Sequence, residues 1–212
     1  MHQWASMQLG GFDLGIFDQA IRSYAAFSLP VSPVKNYHHE FPADFSLLGD
    51  HFSPILALAA PLYWVWDDPR VLLVLQAALF AAGAPLVRGI AARALARAGS
   101  APDLRFVNAC AFVYAVGWPL MTAARGGFHE VAFAVPLTLA MFHQALARRY
   151  TMVLVTAFLL TGVKEDLGLV VGCYGVVLLV RSGRARDMPG LRTGAALAIA
   201  GPVRSPRCRS RG

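Results

Sequence analysis
The residues with reactive chemistry fall into five short clusters: Asp13 and Asp18 in FDLGIFDQ, His38-His39-Glu40, Asp50-His51 in LGDHF, His129-Glu130 after Gly126-Gly127, and Lys164-Glu165-Asp166. A carboxylate early in a surface helix can take a proton from a substrate hydroxyl or hold a divalent cation. Asp13 also suits a helix cap that accepts free backbone N–H groups, and Asp18 a solvated charge. Neighbouring histidines do not share a helical face, and the His38-His39 spacing fits no zinc pattern. A polar loop accounts for them. Asp50-His51 directly precedes an apolar run, at headgroup depth. Glu130 near a helix N-terminus is favoured by the macrodipole, while an ionisable His-Glu pair at a membrane boundary marks a functional position. Lys164 is the cation best placed to hold a phosphate or pyrophosphate; an internal pair with an acid is the structural alternative.

These clusters are positioned by elements that belong in a membrane. The chain has 212 residues, 57% hydrophobic and 15% charged, against about 25% charged in soluble domains. That excludes an ordinary soluble globule. The +7 formal charge does not indicate nucleic-acid binding, because the arginines flank apolar runs, where they set orientation. Cys110, Cys173 and Cys208 include no CxxC pair, so neither a zinc site nor a disulfide framework is indicated. The first residues lack a basic start followed by an apolar core.

The predicted fold class is all-α: a polytopic integral membrane protein with about five spans plus two interfacial helices. Spans are expected near 70–87, 106–124, 131–147, 151–163 and 167–180. The last two are separated because one helix over 151–180 would bury Lys164, Glu165 and Asp166 at mid-depth, at about 2.5–3.5 kcal/mol for each Lys or Asp. Two short runs place that turn in a recessed, water-filled pocket. Residues 1–69 form an outer loop with surface helices at 12–27 and 54–66, the first with an apolar stripe of Leu14, Phe17, Ile21 and Tyr24. Residues 28–53 read as loop. Residues 1–180 thus make a single membrane domain, and 181–212 a basic tail with an incomplete apolar run at 191–203.

Charge sets the expected orientation. Segment 12–69 holds Asp13, Asp18, Glu40, Asp44, Asp50, Asp67 and Asp68 against Arg22 and Lys35. Arg88, Arg93, Arg97, Arg105, Arg148, Arg149, Arg181, Arg184, Arg186 and Arg192 lie at the opposite ends of the spans. The positive-inside rule then predicts a multi-pass protein of the cell membrane with 1–69 on the outer, extracytoplasmic side.

FDLGIFDQA, LGDHFSPILALAAPLY, the arginine-flanked span ending in AARAL, FHEVAFAVPL and TGVKEDLGL, in that order over about residues 11–180, resemble the prokaryotic membrane family catalogued as domain of unknown function 2079 (DUF2079). That layout in turn resembles the GT-C superfamily of polytopic glycosyltransferases, which includes the protein mannosyltransferases and the aminoarabinose transferase of lipid A. This second likeness is an analogy of fold. It implies inverting transfer of a sugar from polyprenyl-phosphate on the outer face, with the bilayer and that lipid-linked sugar as partners. Asp13, matching an acid early in the first outer loop, would be general base or metal-linked carboxylate, with Asp18 beside it. Lys164, at the outer turn of a short-span hairpin, would neutralise the phosphate leaving group with His51. Asp50, His129, Glu130, Glu165 and Asp166 would form a polar or metal-binding wall, with a divalent cation as the one cofactor implied. Those enzymes have a span before the first acid and more spans after, so an inactive fragment lacking the acceptor half is expected. A transporter, with acids and a lysine in a recessed cavity, and a non-catalytic membrane scaffold are the competing classes. Transport generally places its site near the midplane at a repeat interface, whereas these motifs lie on one side.

Overall fold
The computed structural model describes residues 11–203. Within them the chain is helical, with no strand and a single isolated bridge between Val31 and Ser46. Ten α-helices follow one another: α1 (Gly11–Ala25), α2 (Pro33–His38), α3 (Ala60–Val65), α4 (Arg70–Arg97), α5 (Leu104–Val116), α6 (Trp118–Arg125), α7 (Ala134–Leu146), α8 (Tyr150–Thr161), α9 (Leu167–Arg184) and α10 (Met188–Val203). Short 3-10 turns lead into α3 (Pro54–Ala59) and α7 (Glu130–Phe133).

Three segments are long and apolar enough to cross a membrane: Arg70–Arg97, Leu104–Arg125 and Leu167–Arg184. Glu130–Leu146 and Tyr150–Thr161 are apolar but shorter. The 28 residues of α4 reach about 42 Å at 1.5 Å per residue, beyond the roughly 30 Å of hydrocarbon. The helix therefore continues past the expected end at residue 87 and carries Arg88, Arg93 and Arg97 on an extension. The 106–124 stretch is broken at Gly117, whose backbone is extended (φ −61°, ψ 136°). Pro119 has no N–H to donate and its ring clashes with the carbonyl four residues back, so the helix restarts as α6. Phe106, Phe112, Val113, Val116 and Trp118 along this stretch are all exposed, the pattern of a lipid-facing surface.

Two apolar cores hold the elements. The first collects the α1 stripe (Leu14, Phe17, Ile21), Leu47, Ile55, Leu56, Tyr63, the start of α4 (Val71, Leu72) and the loop residues Phe128, Phe133 and Val163. The α1 stripe is thus covered by protein. In the 54–66 segment the apolar residues divide, with Ile55, Leu56 and Tyr63 buried and Leu58, Trp64 and Val65 exposed. The second core joins α7, α8, α9 and α10 through Met141, Val153, Leu160, Val171, Leu178 and Leu197.

Residues 28–53 contain an ordered helix that spacing alone leaves as loop. Ser32 caps α2 by accepting from the Lys35 N–H, and Pro33 opens its first turn, a favoured arrangement. Asn36 then donates to the carbonyls of Ala43 and Phe45 at 3.2 and 3.0 Å, folding the rest of the segment back. At the other end, Met188–Val203 is helical. It packs on α9 with its backbone in near contact: a Cβ built on Gly175 would lie 2.4 Å from Ala198 N, and one on Gly201 2.5 Å from Gly168 O. Small residues permit such an approach, and residues 188–203 join the membrane body.

Candidate functional site
Four chain segments meet around the turn between α8 and α9. The backbone is non-helical from Gly162 to Asp166. Val163 is fully buried in the first core, which fixes the turn. Residues 52–55 lie over it: the Ile55 N–H donates to Gly162 O at 3.0 Å, and the Phe52 N–H donates to Glu165 Oε2 at 3.3 Å. Phe128, also fully buried, packs edge-on against Phe17 of α1 at 5.7 Å. The 128–130 loop is thereby brought to both α1 and the turn.

Two polar pairs result. Lys164 Nζ lies 3.7 Å from Glu130 Oε1, with the Glu130 side chain 8% and the Lys164 side chain 30% exposed. Lys164 thus pairs with an acid remote in sequence. Burial of Glu130 without a cation would be costly, so Lys164 holds it in place while staying partly exposed. Asp13 and His129 form the second pair, Oδ2 to Nε2 4.0 Å, with half of the Asp13 side chain exposed. A carboxylate beside an imidazole, open to one side, has the parts of a general base. Asp166 is exposed.

Asp18 lies on the same helix as Asp13 but in a different environment. Its Oδ2 accepts from Arg22 Nε at 3.0 Å and its Oδ1 from the Tyr63 hydroxyl at 2.6 Å. Arg22 also pairs with Asp67 and lies 4.9 Å over the Tyr63 ring. Burial and the neighbouring Asp18 carboxylate raise the Tyr63 hydroxyl well above its ordinary value. Both Asp18 oxygens are engaged, so this acid ties α1 to α3.

Asp50 pairs with Lys35, which is almost wholly buried. Burial alone would raise the Asp50 carboxyl; the hydrogen bond and charge of Lys35, with His51 and His39, bring it below the usual carboxylate range. His51 Nε2 lies 3.5 Å from Asp50 Oδ2, and its Nδ1 is buried without a hydrogen-bond partner. His38 and His39 are held by rings, Phe12 at 5.0 Å and Phe41 at 5.6 Å respectively. Among the described residues, no three His, Cys, Asp or Glu side chains gather as a metal-ligand group.

Two structural residues escape a reading by reactive type. Lys35 is one; the Ser32-Pro33 helix start is the signal that would have placed it on a helix. Gln76 is the other, a buried amide within α4. Its Nε2 donates to Gly127 O at 2.7 Å, and its Oε1 accepts from the His129 N–H at 3.1 Å. A lone amide in an apolar run must find partners inside the protein, and here it clamps the loop that carries His129 and Glu130. Gly127, at φ 92°, supplies the left-handed backbone this loop requires.

No curated protein and no solved structure matches the chain. Residues 3–203 match the family model described as a predicted membrane protein. That match takes in every element described above, and the chain belongs to the predicted membrane protein family DUF2079.

Proposed function
We propose that this protein takes part in the transfer of a sugar from polyprenyl-phosphate at the outer face of the cell membrane, in the manner of a GT-C-like inverting glycosyltransferase. The observation that supports this reading is that Lys164–Glu130 and Asp13–His129 lie on the turn after α8, the 128–130 segment and the start of α1, which one apolar core packs together. A lipid-linked sugar carries a phosphate that leaves with negative charge, and a positioned ammonium stabilises that charge. Lys164 has that task, and the buried Glu130 aims it. Asp13, paired with His129, accepts the proton of the attacking hydroxyl. His51 lies beside the turn, since Phe52 bonds Glu165, and it adds a polar atom next to the leaving group. Asp18 is assigned to architecture.

Orientation belongs to the same proposal. The arginine-rich ends face the cytoplasm by the positive-inside rule, which sets residues 1–69 and the Lys164 turn outside in a multi-pass arrangement. The test is a thermal-shift titration with polyprenyl-phosphate of purified protein carrying Arg181→Gln, which disables the arginine cluster at the far end of the bundle, repeated with Lys164→Ala added. Binding that disappears with the lysine supports the proposal. Absence of binding, or binding indifferent to Lys164, overturns it and favours a transport or scaffolding role.

A further inference from the structure
At the opposite end of the bundle lies a partly open polar cavity. Its volume is about 160 Å³, and three guanidinium groups line it: Arg97, Arg148 and Arg181. They come from three separate places in the chain. Arg97 arrives on the long extension of α4 and donates from Nη2 to Leu146 O at 2.9 Å, at the carbonyl end of α7. Arg148 sits in the turn between α7 and α8 at φ 55°, a left-handed conformation uncommon for a non-glycine residue. Arg181 stands in the last turn of α9. Hydroxyl groups from Tyr150, Tyr174 and Ser182 complete the wall.

Charge in this cavity is out of balance. Asp187 is the one acid among its lining residues. Its carboxylate already accepts from the Tyr150 hydroxyl and from the Gly190 N–H at 3.3 Å. Arg148 Nε approaches it at 3.8 Å, too far for a hydrogen bond. Arg181 has no ion-pair partner among the described residues. Three cations thus converge on a space with one committed anion. Architecture does not account for that, since like charges brought together repel.

We propose that this cavity binds a phosphate group, held by the forks of Arg97, Arg148 and Arg181. Guanidinium geometry suits phosphate oxygens. The group can come from a membrane lipid headgroup or from a soluble phosphate. Basic pockets between membrane helices on the cytoplasmic side receive anionic headgroups, and α4 is long enough to bring Arg97 to headgroup depth. The site lies away from the Lys164 turn and stands whether or not the glycosyltransferase reading does.

The test uses the detergent-purified full chain and three probes: phosphatidylglycerol, phosphatidylcholine with the same acyl chains, and inorganic phosphate, each titrated by thermal shift. Phosphatidylglycerol is expected to stabilise the protein and phosphatidylcholine not. Arg181→Gln removes an exposed side chain without an ion pair, so it leaves the fold intact; it should weaken the effect about tenfold or more, the scale of a hydrogen bond to a charged group. Arg184→Gln, an exposed arginine on the same helix outside the cavity, should leave it unchanged. An equal response to inorganic phosphate alone also supports the cavity and makes its ligand soluble. Equal stabilisation by both lipids, no stabilisation by any probe, or an Arg184→Gln loss matching that of Arg181→Gln overturns the proposal.

Discussion
Asp13 and Asp18 lie on one helix and have opposite fates, because a helical residue's surroundings depend on the face it occupies. Asp18 points at α3, where Arg22 and Tyr63 take both its oxygens; Asp13 stays half exposed beside His129. Under the proposed function, Asp13→Asn is expected to abolish sugar transfer while leaving the thermal midpoint within about 1–2 °C, the range of a surface change. Asp18→Asn should lower stability by about 1–3 kcal/mol, the cost of disrupting partly buried charged hydrogen bonds, measurable by denaturant unfolding in detergent. Asp50 gives the segment around α2 a pH dependence. Its folded value is depressed, chiefly by Lys35 acting against the opposing effect of burial. Its contribution to stability is thus complete above the unfolded carboxylate value of about 3.9 and is lost as pH falls through the lower, folded value. Hydrogen exchange of residues 33–50, corrected for intrinsic rates, should accelerate below about pH 4. Lys35→Met should bring that loosening to neutral pH, since it leaves Asp50 without its cation. Residue types alone named Asp13, Lys164 and Glu130 as candidates. They could not show that Lys164 would pair with Glu130 rather than with its sequence neighbours, because that choice depends on Phe128 and Val163 docking into a shared core.

Elements are legible where length and hydropathy decide them and obscure where close packing does. The apolar run starting α4 is plain, yet its arginine-bearing continuation to Arg97 depends on support from α7, whose last carbonyl Arg97 caps. The division of 106–125 follows from Gly117 and Pro119, visible in the sequence but overridden there by uninterrupted hydropathy. The α9–α10 seam was hidden because its signal is the absence of side chains. Gly168, Gly172 and Gly175 on one helix meet Gly194, Ala198 and Gly201 on the other. Gly175→Val or Gly201→Val would force backbone apart and should destabilise the bundle by about 1–3 kcal/mol or more. Gly15→Ala has open space around its new methyl and should stabilise α1 by about 0.5–1 kcal/mol. Comparing the three in one unfolding assay separates seam packing from helix propensity. Gln76→Leu probes the loop clamp from within α4. It strands the Gly127 carbonyl and the His129 N–H, at about 1–3 kcal/mol in an apolar setting, and under the proposed function it should reduce polyprenyl-phosphate binding by loosening that loop.

For the whole molecule, the two ends of the bundle carry opposite chemistry. Most of the acids and histidines lie with Lys164 at one end, beside Arg22, Arg70 and Arg125, and most of the arginines lie at the other, beside Asp103, Asp187 and His143. That division was legible because charge is costly inside the bilayer and therefore concentrates at helix ends. The direction proposed for it across the membrane rests on the arginine bias and assigns each proposed site a compartment. The prediction is open to direct labelling. In a background with Cys110, Cys173 and Cys208 replaced by serine, Asp44→Cys and Arg186→Cys each add one thiol at an exposed position. On intact cells a membrane-impermeant maleimide should label the first and spare the second, which should react only after permeabilisation. The reverse pattern would set the Lys164 turn in the cytoplasm, where a lipid-linked sugar donor on the outer leaflet could not reach it. It would equally move the arginine cavity away from the anionic inner leaflet. Labelling of both thiols in intact cells would place both loops on one side, which requires an even number of crossings between residues 44 and 186. Three full crossings by Arg70–Arg97, Leu104–Arg125 and Leu167–Arg184 put those residues on opposite sides, and so does the arrangement with the two shorter helices as a further pair. The labelling pattern thus tests orientation without depending on which count holds.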